Sequence, residues 1–133
     1  MTSPSENLAV ARQYLKTIES GAGGDEIARF FASEVVVEIF PSRFFPNGSR
    51  DNLDGIRAAA DRGKKAMANK SYAIKNAIAS GDQVALEVEF VGTLLLPFQN
   101  IAAGGQMRAH VAIFLAFKNG KIASQRNYDC YAA

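Results

Sequence analysis

A chain of 133 residues is long enough for one domain with a real hydrophobic core and too short for several. Hydrophobic residues make up 48% of it and charged residues 21%, the balance of a globular protein, and no apolar run approaches the length of a membrane span. A formal net charge of +2 is too small to argue for a polyanionic partner, so neither nucleic acid nor a membrane is expected as one.

The N-terminus MTSPSENLAV lacks a basic stretch followed by an apolar one, so no signal peptide is expected. Cys130 is the single cysteine, which rules out an internal disulfide and suits a cytoplasmic setting. With one cysteine and one histidine, a zinc site is not expected, and no phosphate-binding glycine loop is present. Basic residues gather between Arg50 and Lys75, interleaved with Asp51, Asp54 and Asp61. Tyr72 is the one aromatic among them, so the cluster reads as a solvated helix face, with phosphate binding as the alternative.

The first element is a helix. Ser3-Pro4-Ser5-Glu6 supplies a capping serine, a proline at the first helical position and a glutamate three residues after the cap. Leu8, Ala11, Tyr14, Leu15 and Ile18 follow at helical spacing, and Gly21, Gly23 and Gly24 end it. A short second helix is expected over roughly 26–32, and Val35 to Phe40 is a β-branched strand. Pro41 to Asp51 reads as a loop, and about 53–68 as a third helix. Strands follow at 71–79 and 84–96 around Gly81-Asp82, then a loop at 97–105, then strands at 106–118 and 121–131. Helices first and antiparallel strands last give an α+β class, with residues 1–133 as one domain.

The closing hairpin is the most informative stretch. Asn119-Gly120 between apolar runs calls for a two-residue turn, which sets Lys118 opposite Lys121. Counting outward, His110 falls opposite Asp129, on a face shared with Ala112, Phe114 and Ala116 and with Asn127, Gln125 and Ala123. The other face carries Val111, Ile113, Leu115 and Phe117 against Tyr128, Arg126, Ser124 and Ile122. Small residues mixed with amide, imidazole and carboxylate groups suit a cavity wall, so the His110 face is expected to line a pocket. The apolar face then needs cover, and a homodimer through the sheet is expected to supply it. The converse reading makes the apolar face the core and leaves the polar face to solvent.

Three stretches resemble the nuclear-transport-factor-2-like superfamily, and within it the SnoaL-like branch that includes polyketide cyclases. They are Asn7-Leu-Ala-Val-Ala-Arg-Gln-Tyr-Leu with Ile27-Ala-Arg-Phe-Phe-Ala, then Gly92-Thr93 with Pro97, Ile101 and Gly104-Gly105, and Asn119-Gly120-Lys121-Ile122 with Asn127-Tyr128-Asp129. The resemblance implies a cone, in which a strongly curved antiparallel sheet wraps on three helices around a pocket. It also implies acid–base chemistry from an aspartate late in the last strand, near which Asp129 lies. Tyr14 matches a first-helix tyrosine of ketosteroid isomerases. That enzyme's base aspartate is absent, since the chain reads Glu38-Ile39-Phe40-Pro41 there, and its second aspartate falls in the apolar run around Ile113. Limonene epoxide hydrolases resemble the chain at Arg126-Asn127-Tyr128, where asparagine replaces their catalytic aspartate.

These residues point to a cofactor-independent enzyme acting on a small hydrophobic molecule by isomerisation, cyclisation or hydration. Asp129 is expected to move the proton and His110 to orient or assist it, a carboxylate fixing the imidazole tautomer. Tyr14, Asn127 and Gln125 are expected to hydrogen-bond the substrate, and Phe114, Phe40, Phe44 and Phe98 to supply apolar walls. A non-catalytic ligand-binding module and a dimeric structural module with a filled cone are the alternatives.

Overall fold

A computed structural model describes residues 2–132. The chain begins with helix α1 (Pro4–Glu19), which the expected capping box starts: the Ser3 hydroxyl accepts from the Glu6 N–H and the Glu6 carboxylate accepts from the Ser3 N–H. Helix α2 (Gly24–Ala28) is one short turn, and Phe31, expected in that helix, instead opens strand β1 (Phe31–Ile39). Strand β2 (Ser49–Asp51) is a short edge piece inside the expected loop. Helix α3 (Leu53–Ala66) is capped by the Asn52 side chain, which accepts from the Gly55 N–H. The chain then passes directly into β3 (Met67–Ser80), followed by β4 (Gln83–Leu94), β5 (Gln106–Lys118) and β6 (Lys121–Tyr131).

The six strands form one sheet in the order β2-β1-β6-β5-β4-β3. It is mixed rather than purely antiparallel, because β1 runs parallel to β6. After β1 and β2 the chain crosses through α3 to the far edge and meanders back, so the last strand arrives beside the first in the same direction. The α+β class stands, with the sheet curved over the helices. All three helices lie on one face of the curved sheet: α1 over β3 and β4, α3 against β1 and α2. Gly24 lets α2 and α3 meet closely, since a Cβ there would sit 2.5 Å from the Arg57 carbonyl oxygen. No helix among the described residues is long and apolar enough to cross a membrane.

The core lies between the helices and the concave face. Ala11, Tyr14 and Leu15 of α1 pack on Val84 and Leu86 of β4, Ile113 and Leu115 of β5, and Ile122 of β6. Val111, Ile113, Leu115 and Phe117 are therefore core, not the outward face that a second subunit was expected to cover.

The closing hairpin departs from the expected register at one residue. Asn119 and Gly120 both have positive φ, +52° and +78°, as a two-residue turn requires, and Lys118 pairs with Lys121 and Phe117 with Ile122. Ala116 then pairs with Ser124, which leaves Ala123 as a one-residue bulge. From there on every partner is moved by one, so Val111 faces Asp129 and His110 faces Cys130. A one-residue shift turns a strand's side chains over relative to its partner. Gln125, Asn127, Asp129 and Tyr131 consequently point to the concave side with the β5 core residues, and His110, Ala112, Phe114 and Ala116 point to the convex side.

Candidate functional site

The cone encloses a cavity of about 440 Å³ between the concave sheet face, α1 and α3. Its wall is mostly apolar, with Phe31, Val37, Ile56, Met67 and Phe90 among the lining residues. Polar groups enter it mainly from one strand. The alternation of β6 presents Gln125, Asn127, Asp129 and Tyr131 in a line, and α1 adds Tyr14 from the opposite wall.

These groups fall into two sets. The Tyr14 hydroxyl donates to Gln125 Oε1 at 2.9 Å, and Gln125 Nε2 donates to Asn127 Oδ1 at 2.8 Å. Each bond fixes the orientation of the next amide, so the Asn127 Nδ2 protons are left for a ligand. Burial pushes the Tyr14 phenol up to about 12, against the smaller opposing effect of its bond to Gln125. The second set is Asp129 with Tyr131, whose hydroxyl donates to Asp129 Oδ2 at 3.4 Å. Asp129 Oδ1 is buried with no hydrogen-bond partner among the described residues. Burial raises the Asp129 carboxyl above its ordinary range, and the Tyr131 bond offsets only part of that. The Tyr131 phenol is also raised, first by burial and then by the adjacent carboxylate. A carboxyl held towards its neutral form, with one oxygen free inside an apolar cavity, can give or take a proton from a bound molecule.

The structure thus gathers Tyr14, Gln125, Asn127 and Asp129 of the sequence-derived set around one cavity. It does not bring His110 there. The bulge at Ala123 puts that imidazole on the convex face, where its side chain is 76% exposed and its Nδ1 lies 4.0 Å from Glu89 Oε1. The expected His110–Asp129 pair does not form. Phe114 and Phe40 are also outside: Phe40 stacks on Tyr128 at 4.6 Å between ring centroids, and Phe114 meets Tyr128 edge-on at 5.8 Å. Phe44 and Phe98 stand behind the wall, both packed against each other, while Phe45 stacks on Phe98 and itself lines the cavity. Tyr131, Tyr72 and Lys70 line the cavity without having been singled out. Tyr131 was reachable by continuing the alternation from Asp129. Lys70 was not, because its direction depends on a bulge. Among the described residues no group of His, Cys, Asp and Glu side chains is arranged to hold a metal ion.

The family model described as SnoaL-like domain matches residues 11–125. No curated protein matches the chain. Among solved structures, the fold is similar to the proposed hydroxylase AclR from Streptomyces galilaeus, with a TM-score of 0.75 at 20% identity over 96% of this chain and 76% of that one. It is similar to the proposed polyketide cyclase IdmH from Streptomyces antibioticus, with a TM-score of 0.74 at 16% identity over 96% of this chain and 92% of that one. An LEH-like epoxide hydrolase from M. tuberculosis superposes with a TM-score of 0.71 at 14% identity, over 95% of this chain and 84% of that one. At these identities the likeness establishes the fold.

Proposed function

The chain belongs to the SnoaL-like family, and from that premise we propose that it is a cofactor-independent enzyme that performs general acid–base chemistry on a small, largely apolar molecule held in the cone. The observation that carries this reading is Asp129: a carboxyl group inside an apolar cavity, raised by burial, with one oxygen that has no hydrogen-bond partner among the described residues. Asp129 exchanges the proton. Asn127 Nδ2, oriented through Gln125 by Tyr14, donates to the substrate oxygen on which charge develops. Tyr131 steadies the carboxylate through its hydroxyl. Isomerisation, cyclisation and hydration all use this set. His110 has no part in it.

A cavity of this size favours a ligand over a cone filled by its own side chains. The lone Cys130 thiol is exposed, which fits a reducing cytoplasm. A homodimer remains part of the proposal, through the convex face that carries Phe114 and Tyr128.

The test has two steps. A thermal-shift screen of aromatic and alicyclic ketones, enones and epoxides finds ligands, since a bound ligand raises the melting temperature. Ligands that stabilise the protein are then followed for conversion by mass spectrometry and NMR. The expected result is conversion by the wild type that falls about 10²–10⁴-fold in Asp129→Asn with binding retained. Full activity of Asp129→Asn on a converted ligand overturns the assignment. Tight binding without conversion of any ligand leaves the same cavity as a binding module.

A further inference from the structure

Lys70 sits where the cavity meets the outside. It lines the main cavity, and it also lines a hollow just beyond the mouth, formed by Gly21 after α1, Lys64 and Lys65 at the end of α3, and Asn69. Its direction is set by an irregularity in β3. Ala68 pairs with Thr93 but Ser71 pairs with Val91, so one extra residue stands between them, and Asn69 has a φ of +52°. A regular strand could not turn both Met67 and Lys70 to the concave side, since their spacing is odd. The bulge does so, and both line the cavity. The Lys70 ammonium reaches across towards α3, where a Cβ on Gly63 would lie 4.0 Å from Nζ.

The half-buried ammonium has no carboxylate within ion-pair distance and no hydrogen-bond acceptor among the described residues. Lys64 and Lys65 have an ordinary reason to be where they are, as cations in the last turn of a helix. Lys70 has none: it is on a strand, turned inward by a bulge, and left without a counter-charge. A cation in that position is costly unless something anionic comes to it. Burial indeed lowers its pKa, as expected for an ammonium without a partner. The carboxylate that lines the outer hollow, Glu19, is engaged with the Tyr72 N–H at 2.7 Å, and three lysines outnumber it.

We infer that Lys70, backed by Lys64 and Lys65, anchors an anionic group of the ligand at the cavity mouth, so that the molecule taken up is an apolar body with one carboxylate, sulfonate or phosphate end. The apolar body fills the cone and reaches Asp129, and the anionic end stays at the rim. The inference rests on the proposal that the cavity binds a small apolar molecule.

Two fluorescent probes share an apolar skeleton and differ in one group: 8-anilinonaphthalene-1-sulfonate carries a sulfonate, and N-phenyl-1-naphthylamine does not. Titration of each into wild type, Lys70→Met, Lys70→Arg and the convex-face control Lys75→Met separates charge from shape. Wild type and Lys75→Met are expected to bind the sulfonate about tenfold tighter than the neutral probe, the difference one charge-assisted contact makes. Lys70→Met is expected to lose that preference with the neutral affinity unchanged, and Lys70→Arg to keep it. Sulfonate affinity in the wild type should fall with added salt while neutral affinity does not, a readout that needs no variant to fold. Equal binding of the two probes by wild type, or an undiminished preference in Lys70→Met, overturns the anchor alone. Failure of both probes to bind overturns the cavity reading and the anchor with it.

Discussion

Asp129 shows what a reactive group does to the fold that holds it. Burial favours the neutral acid, so the folded chain keeps the Asp129 proton to higher pH than the unfolded chain does. Between the two values the native state binds more protons, and stability falls as pH rises through that window. Above it the carboxylate is charged, half-buried and short of partners, so Asp129→Asn should melt a few degrees higher than wild type at pH 7. That gain should vanish once the pH drops below the ordinary carboxylate range, where both proteins are neutral at this position. Differential scanning calorimetry across pH 3–8 checks this, and a wild type more stable than Asp129→Asn at pH 7 would contradict it. The same shift should place the acid limb of the pH–rate profile above the usual carboxylate range. Tyr14 works the other way. Its hydroxyl serves Gln125, which is only 4% exposed, so Tyr14→Phe leaves a buried amide oxygen without a donor. A loss of about 1–3 kcal/mol in urea unfolding is expected, together with weaker turnover, because Asn127 loses the chain that orients it.

The hairpin between β5 and β6 marks how far the sequence reaches at the level of elements. Asn119-Gly120 named the turn correctly, and the first two pairs follow from it. The bulge at Ala123 has no such signature: an alanine between Ile122 and Ser124 fits a regular strand equally well. Its reason is tertiary. Ile122 is fully buried and Gln125 nearly so, and two residues three apart can share a face only if one between them is extra. Burial at both positions was not visible locally, so the register of the β6 polar set was read off by one. Each of the two readings of the faces was then half right. The polar residues of β6 do line the cavity, and the apolar residues of β5 are the core, on the same side. Lys70 was hidden for the same reason, behind the bulge between Ala68 and Ser71 in β3. Inserting one alanine between Ser124 and Gln125 should therefore be severe. It would turn Gln125, Asn127 and Asp129 outward and drive Arg126 and Tyr128 into the core. Loss of a cooperative thermal transition by circular dichroism is the expected result, and a native-like melt would show that the register is not fixed by burial.

At the scale of the whole molecule, the order of elements was legible because it rests on local signals: the capping box of α1, the glycines after it and the two hairpin turns. The parallel pairing of β1 with β6 was not, since no local pattern reports which distant strand lies alongside. That pairing leaves the sheet with two unlike faces. The concave face is covered by helices and cavity, whereas among the described residues no helix packs on the convex face. There Phe114 is 37% exposed and Tyr128 is 46% exposed, and they meet edge-on with Arg126 over the Phe114 ring at 5.6 Å. Aromatic side chains flanked by arginine are the composition of an interface centre. The proposed homodimer therefore uses the face opposite to the one that the apolar pattern of β5 suggested. A two-fold axis would set the patch against itself, each Phe114 and Tyr128 counted twice, so one substitution acts on both sides of the contact. Phe114→Glu and Tyr128→Glu put like charges face to face there and touch neither the core nor the cavity. Sedimentation velocity at micromolar concentration should give a dimer for the wild type and a monomer for either variant, with far-UV circular dichroism unchanged. A wild-type monomer under those conditions would remove the dimer from the proposal, and a dimer that survives both substitutions would move it to another face.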